Sequence, residues 1–356
     1  MLKTDWQEYI KSNLYLDQQG FYELPYLSNS PELMAESVIN IPVSNFIKDE
    51  QAIYSDDAFT KGVMRYHKIE DGLWLFCTDI EIKQNIISKA LYADDVPAEY
   101  YFLSFAVFEY FYPVNNSFTR FAKLISTTCT FYRPRTEVST FFYAQTTGKF
   151  FNILFTKEWA MKNLAFKHAV QKEAVATFLN DETGFINWID LVPDAVGLSE
   201  ELCKKIVKGK DTVCDNGYLR KTLLHIIEDF FEKALDESRI KNYFPLHNPD
   251  YANVAAAEKF ILSHLHEPFI GVEKLARKVN LSPTKLKMIF KSVFGFSMLQ
   301  YHKEKNMLLA RQLVQRSDMH IKNIALITGY ESAGKFTATF KKRFGVLPSE
   351  IREKMQ

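Results

Sequence analysis

The sequence has few of the features that mark membrane proteins, extracellular scaffolds or metalloenzymes. None of its apolar runs approaches the roughly 18 residues that cross a bilayer, so no membrane partner is expected. The first residues, Met1-Leu-Lys-Thr-Asp-Trp-Gln-Glu8, place no apolar stretch behind a basic tip, which argues against a secretory signal. Cysteine is sparse: Cys77, Cys129, Cys203 and Cys214 show neither metal-ligand spacing nor a disulfide framework, and a cytoplasmic location is expected. Only His67 and His168 precede residue 200, too few and too far apart for a metal centre there. His264-Leu-His266 splays its rings on a helix and reads as surface polarity. Phosphate-cradling glycine loops, nucleophile elbows and paired-cysteine redox motifs are also lacking. No catalytic residue, no metal and no cofactor is therefore expected.

What is present is an ordinary globular composition, 47% hydrophobic and 24% charged, over 356 residues. That length suggests two compact units, or three. The net charge of +1 conceals an asymmetry. From Tyr251 onward there are 18 lysines and arginines against 8 acids; the preceding residues hold 26 against 35. A basic block of about a hundred residues on an acidic body suggests a polyanionic partner, although a solvated basic face on a helical domain has the same composition. Aromatics divide at the same point: 41 of the 52 lie before Tyr251.

The front of the chain reads as β-structure. Tyr100–Tyr112 is apolar on both alternate faces, as in a strand covered on both sides. Ile125–Tyr132, Ser139–Tyr143, Lys149–Thr156 and Leu73–Thr78 are further strands. Arg133-Pro134-Arg135, Thr147-Gly148 and Asp71-Gly72 are read as turns between them. Short strands with such punctuation suggest a sandwich or barrel. Most of the aromatics belong to its core, and a barrel interior also offers an apolar pocket with Trp74, Tyr101, Phe105, Phe142 and Phe151 as candidate lining residues. Arg120, Arg133 and Arg135 are either anion contacts or surface charges.

Helical periodicity begins at Lys157–Leu164. It is clearest at Tyr218–Leu235, where Leu219, Leu223, Ile226, Ile227, Phe230, Phe231 and Ala234 recur at three- and four-residue steps. The stripe packs against its own domain or, through Leu219, Leu223, Ile226 and Phe230, holds a dimer. Asp236–Asp250, polar and containing Pro245 and Pro249, reads as a linker between a front domain, residues 1–245, and a tail, residues 251–356.

The tail is duplicated. Ser282, Leu286, Phe290, Phe294 and Gly295 recur as Ser332, Phe336, Phe340, Phe344 and Gly345 at an offset of 50; Leu275-Ala276 recurs as Ile324-Ala325 at an offset of 49. The second turn is therefore one residue longer. Each copy reads as a helix-turn-helix. A short helix carries the packing pair, a tight turn follows, and Ser282 or Ser332 caps a second helix, with Pro283 suited to its first position. That helix buries Leu286, Ile289 and Phe290 in one copy and Phe336, Thr339 and Phe340 in the other, and Gly295 or Gly345 ends it. Such a helix enters the DNA major groove. Thr284, Lys285, Lys287, Met288 and Lys291 point out of the first. Ala333, Gly334, Lys335, Thr337, Ala338 and Lys341 point out of the second.

These residues resemble the DNA-binding domain of AraC/XylS-type transcriptional regulators. The resemblance runs from about Ala255 to Arg352. It rests on Tyr301, Ala310-Arg-Gln-Leu313, Ile324-Ala325, Gly329-Tyr330, Phe336, Phe340-Lys341 and, most specifically, Gly345-Val-Leu-Pro-Ser-Glu-Ile-Arg352. Asn306 departs from the family's usual arginine and Gly334 from its small hydroxyl residue. The resemblance implies an α+β protein: an N-terminal cupin-like β-barrel with amphipathic helices, and a C-terminal all-α double helix-turn-helix domain of seven helices with a long one at about Met298–Gln315. It implies a sequence-specific regulator binding double-stranded DNA as a homodimer, responsive to a small-molecule effector and in contact with RNA polymerase. Two other readings remain: an adaptor whose front domain binds a protein, and an enzyme fused to a DNA-binding tail. Four dispersed cysteines disfavour the alkyl-transfer version of the latter.

Overall fold

The computed structural model describes residues 22–41, 44–114, 117–136, 138–142, 144, 146–180, 185–188, 195–207, 215–235, 243–244, 250–265, 267–294, 296–316 and 319–353. The chain divides into two compact units. One comprises residues 1–107 and 127–252, the other residues 108–126 and 253–356.

The first unit is built on strands that run mainly antiparallel. In chain order they are β1 (Tyr22–Leu27), then helix α1 (Pro31–Ile39), β2 (Ser44–Ile47), β3 (Ala52–Asp56), β4 (Thr60–Glu70), β5 (Leu73–Ile82), β6 (Ile86–Leu91), β7 (Tyr100–Val114), β8 (Ser117–Tyr132), β9 (Ser139–Phe142) and β10 (Thr146–Thr156). Helices α2 (Lys157–Asn163) and α3 (Ala169–Asn180) follow, then β11 (Phe185–Trp188), α4 (Ala195–Lys205), α5 (Asn216–Ala234) and β12 (Tyr243–Phe244). Nine strands form one sheet in the order β12-β11-β8-β7-β10-β5-β4-β3-β2; β1-β6-β9 form a second, smaller one, in which β1 and β6 run parallel. The expected α+β class, strand-rich in front and helical behind, is the architecture found.

Alternation along the strands gives the large sheet two apolar faces. Leu73, Leu75 and Cys77 of β5, Tyr101, Leu103 and Phe105 of β7, and Phe151, Ile153 and Phe155 of β10 share one cluster with residues of α2 to α5. Trp74, Phe76, Phe102 and Leu154 point the other way, into a smaller cluster with Met34 and Ala35 of α1. Helix α5 follows from its pattern. Asp215 caps it, accepting from the Tyr218 N–H at 3.1 Å, and all seven residues of its stripe are buried in the larger cluster. Phe230 stacks on Phe131 of β8 at 4.8 Å between ring centroids. Each such side chain contributes about 1.5–3 kcal/mol by leaving water. The stripe is thus satisfied inside its own unit, and Leu219, Leu223, Ile226 and Phe230 offer no exposed dimer face.

Two local readings are corrected. Gly148 lies within β10, opposite Ile80 of β5, rather than in a turn; pairing along ten residues of β5 outweighs the local glycine signal. Arg133 is a core residue. Its guanidinium lies 4.6 Å above the Phe178 ring and donates to the Phe178 carbonyl at 3.0 Å. Arg135 is exposed, with φ of 59°, and donates to the Val96 carbonyl at 3.2 Å. The side chain of Arg120 lies outside the described residues. The Asp71-Gly72 turn is as expected: Gly72 has φ of +81°, and a Cβ there would meet Thr156 Oγ1 and Trp159 Cβ at 2.9 Å. Within the polar stretch Asp236–Asp250, Tyr243–Phe244 form β12 and Asp250 opens the next helix; the rest lies outside the described residues.

The second unit is helical apart from the distal parts of β7 and β8. Its helices are α6 (Asp250–Ser263), α7 (Val272–Lys278), α8 (Pro283–Phe294), α9 (Met298–Arg316), α10 (Ile321–Ile327), α11 (Ala333–Phe344) and α12 (Pro348–Glu353). Within this unit the Gln312 side chain both accepts from the N–H and donates to the carbonyl of Ile125, each at 2.6 Å. Lys259 Nζ lies 3.9 Å above the Phe108 ring, and burial lowers its pKa.

Candidate nucleic-acid interface

The two lobes of the tail are built by the same local physics. Asn280 and Gly329 both have positive φ, 52° and 80°. In each turn the following N–H reaches back to the helix: Leu281 to the Ala276 carbonyl at 3.0 Å, and Tyr330 to the Ala325 carbonyl at 2.8 Å. This left-handed ending closes both α7 and α10. The 49-residue offset therefore holds through Leu281/Tyr330. The additional residue of the second lobe is Glu331, inserted just before the cap.

Ser282 and Ser332 then cap α8 and α11, accepting from the Lys285 and Lys335 N–H groups at 3.3 Å each. Leu275, Ala276, Leu286, Ile289 and Phe290 are buried in the first lobe, and Ile324, Ala325, Phe336 and Phe340 in the second. Thr339 is not among them. It is exposed, and its hydroxyl donates to the Lys335 carbonyl at 2.9 Å, so the threonine satisfies itself on its own helix instead of packing. Gly345, with φ of 76°, ends α11; Gly295 lies outside the described residues. Leu347 donates its N–H to Glu350 Oε2 at 2.7 Å, and Pro348 occupies the first position of α12. This return contact is the carboxylate half of a capping box, and it explains the order Leu-Pro-Ser-Glu.

With the apolar residues turned inward, one face of each second helix is left to solvent. On α8 Thr284, Lys285, Lys287, Met288 and Lys291 are exposed. Met288, an apolar side chain, is 65% exposed on this face. On α11 Lys335, Ala338 and Lys341 are exposed and Thr337 is half-buried. Ala333 is half-buried and Gly334 exposed at its start. Lys335 reaches the inserted Glu331 at 2.9 Å. Arg343 forks onto Glu304 of α9, with Nε 2.8 Å from Oε1. Lys322 is exposed within the first turn of α10.

Asn306 lies buried in α9, 3.4 Å from His302 Nδ1. Burial lowers the His302 pKa, opposed by its contact with the Glu267 carbonyl at 3.2 Å. Tyr301 donates to Glu258 Oε1 at 2.6 Å. These polar groups knit α6 to α9 and do not face solvent. The five aromatic candidates of the front unit are not brought together. Tyr101, Phe105 and Phe151 lie on the helix-covered face, Trp74 on the opposite one, and Phe142 of the small sheet meets Phe150 edge-on at 5.1 Å.

Two capped second helices, each with a basic exposed face and an apolar inner one, define a tandem helix-turn-helix protein. Comparison with known proteins agrees. A helix-turn-helix domain family model matches residues 275–354. The "Probable transcription factor PqrA" of Proteus vulgaris is 36% identical over 84 residues, 24% of this chain and 69% of that protein. The arabinose operon regulatory protein of Salmonella typhimurium is 30% identical over 107 residues, 30% of this chain and 38% of that protein. The DNA-binding domain of AdpA, solved in complex with a target DNA, is 28% identical, covering 29% of this chain and 91% of its own at a TM-score of 0.27. The chain belongs to the AraC/XylS family of DNA-binding transcription regulators. Among the described residues no helix is long and apolar enough to cross a membrane.

Proposed function

We propose that the chain binds specific double-stranded DNA through α8 and α11, placed in successive major-groove segments on one side of the duplex. It would do so in the cytoplasm, to control transcription in answer to a small molecule. The observation that carries this reading is the pairing of two capped helices whose exposed faces hold Lys285, Lys287 and Lys291 in one lobe and Lys335 and Lys341 in the other. Lysine reaches guanine O6/N7 or phosphate, and Thr337 presents a hydroxyl or a methyl to a base edge. A buried Asn306 takes no part in phosphate contact.

The front unit, residues 1–245 in this reading, senses the effector. The helix-covered face of its sheet is filled by α2 to α5. The opposite face is the better candidate: Trp74, Phe76 and Phe102 lie there with partly buried Tyr26, Tyr66, Tyr100 and Tyr132 packed against them. Tyrosine hydroxyls beside apolar rings are the chemistry that suits a small, partly aromatic or amphipathic ligand. Homodimerisation and contact with RNA polymerase complete the proposal, with the dimer formed elsewhere than on the apolar face of α5.

Selection of binding sites from random DNA by the full chain tests the DNA reading. A single recurrent motif is expected, bound with an affinity that falls steeply with salt as lysines release phosphate counterions. Salt-independent binding, or no enriched motif, would refute it. Thermal-shift measurements with small-molecule fractions of cell extract test sensing.

A further inference from the structure

Cys77 and Cys203 lie 126 positions apart in sequence, yet their sulfurs are 3.1 Å apart. Cys77 sits at the middle of β5, flanked by Arg65 of β4 and Phe151 of β10, and is buried. Cys203 is near the end of α4 and half-buried, which makes it the more accessible of the two. A disulfide has an S–S distance of about 2.05 Å, so closure needs the sulfurs to approach by about 1 Å. The third described cysteine, Cys129, lies in the same core, and burial raises its thiol pKa. Chance placement of scattered cysteines does not ordinarily bring two side chains from a strand and a helix to this distance.

We propose that Cys77 and Cys203 form a reversible redox site, oxidised by hydrogen peroxide to a disulfide that staples α4 to β5. Cys203 is the attacking sulfur. Contact with the Cys77 sulfur favours its thiolate, an effect opposed by burial and Asp79 and assisted by Lys149 and Arg65. The same contact and its burial push Cys77 up and keep it protonated. The Cys203 thiolate displaces hydroxide from the peroxide as the S–O bond forms and the O–O bond breaks. The hydroxide takes the proton Cys203 had released, giving water and a sulfenic acid. The Cys77 sulfur then attacks that sulfur, its proton leaves with the departing hydroxyl, and a second water forms. Two thiols are oxidised by two electrons and one hydrogen peroxide is reduced. The location of Cys77 is what directs the sulfenic acid to this partner: the two sulfurs are already in contact.

The test uses the full chain, reduced and then exposed to hydrogen peroxide under native conditions, alkylated, digested without reductant and mapped by mass spectrometry. A linked Cys77–Cys203 peptide is expected in most molecules, lost on treatment with dithiothreitol. Oxidation is expected to raise the unfolding midpoint of the wild-type chain by a few degrees, because a long loop is closed. Cys203→Ser should abolish both effects, and a chain carrying Cys129→Ala with Cys214→Ser should retain both. The mapping of the wild-type chain decides the matter even if a variant folds poorly. Cys77 remaining alkylatable after full oxidation overturns the proposal, whether Cys203 is then found as a sulfinic acid, joined to Cys214 or joined to a second chain. A linked peptide with no rise in the midpoint overturns the stapling.

Discussion

The inserted Glu331 provides a sharp test of which side chains read DNA. Its carboxylate lies 2.9 Å from Lys335 Nζ, and both side chains are largely exposed. Such a pair, four residues apart, is worth about 0.3–0.5 kcal/mol, and Lys335 must give it up to reach a base. Glu331→Ala should therefore tighten binding about twofold at low salt, with the gain shrinking as salt screens the pair. The first lobe has no residue equivalent to Glu331, and its exposed Lys287 serves as a base-reading comparison. Lys287→Ala should cost about 1–3 kcal/mol at the preferred site and flatten discrimination at one or two base pairs. Lys335→Ala should cost the same kind of penalty less the pairing energy. Lys322, exposed on α10 outside either reading helix, should touch at most phosphate; its loss should weaken all sequences alike and lower the salt slope by about one. Fluorescence anisotropy at two salt concentrations measures the affinities, and site selection with each variant measures the discrimination. Identical sequence preferences for Lys287→Ala, Lys335→Ala and Lys322→Ala would mean that the wrong side chains have been placed in the groove. An equal gain from Glu331→Ala in a Lys335→Ala background would refute restraint by the pair.

Other outcomes follow from packing and caps. Phe290→Ala and Phe336→Ala each empty a fully buried site and should destabilise the helical unit by about 3–5 kcal/mol in urea titration, whereas Ser332→Ala, which removes one cap, should cost about 0.5–2 kcal/mol. Ile226→Asp with Phe230→Asp should unfold the front unit rather than release monomers, since both side chains lie in its core; circular dichroism beside sedimentation distinguishes the two, and folded monomers would restore the dimer reading of α5. For His302 the folded pKa lies below the ordinary value, so the unfolded chain binds more protons between the two values and stability falls as pH drops through about 6.5 toward the folded pKa. His302→Gln should flatten that part of the stability–pH profile; an unchanged slope would assign the loss to another group.

Elements whose signals are local can be read from the residues alone. Ser282 and Ser332 as caps, the Leu275-Ala276 and Ile324-Ala325 pairs, and the spacing of Phe336 and Phe340 each act within one or two turns of helix. They were legible without knowing what they would touch, and the outward residues of α8 followed by subtraction. The strands around Leu73, Tyr100 and Phe151 were legible too, because β-branched and aromatic density is a local property. Features that depend on two distant segments meeting emerge only from the packing of the folded chain. It placed Trp74 on one side of the sheet and Tyr101, Phe105 and Phe151 on the other, since the facing of a strand depends on its register with its neighbours. It made Gly148 a paired strand residue and Arg133 a core cation over Phe178. It grouped residues 108–126 with the helical tail through Ile125 and Gln312. It also brought Cys77 to Cys203, a contact that no spacing announces because the chain between them is long enough to permit almost any pairing.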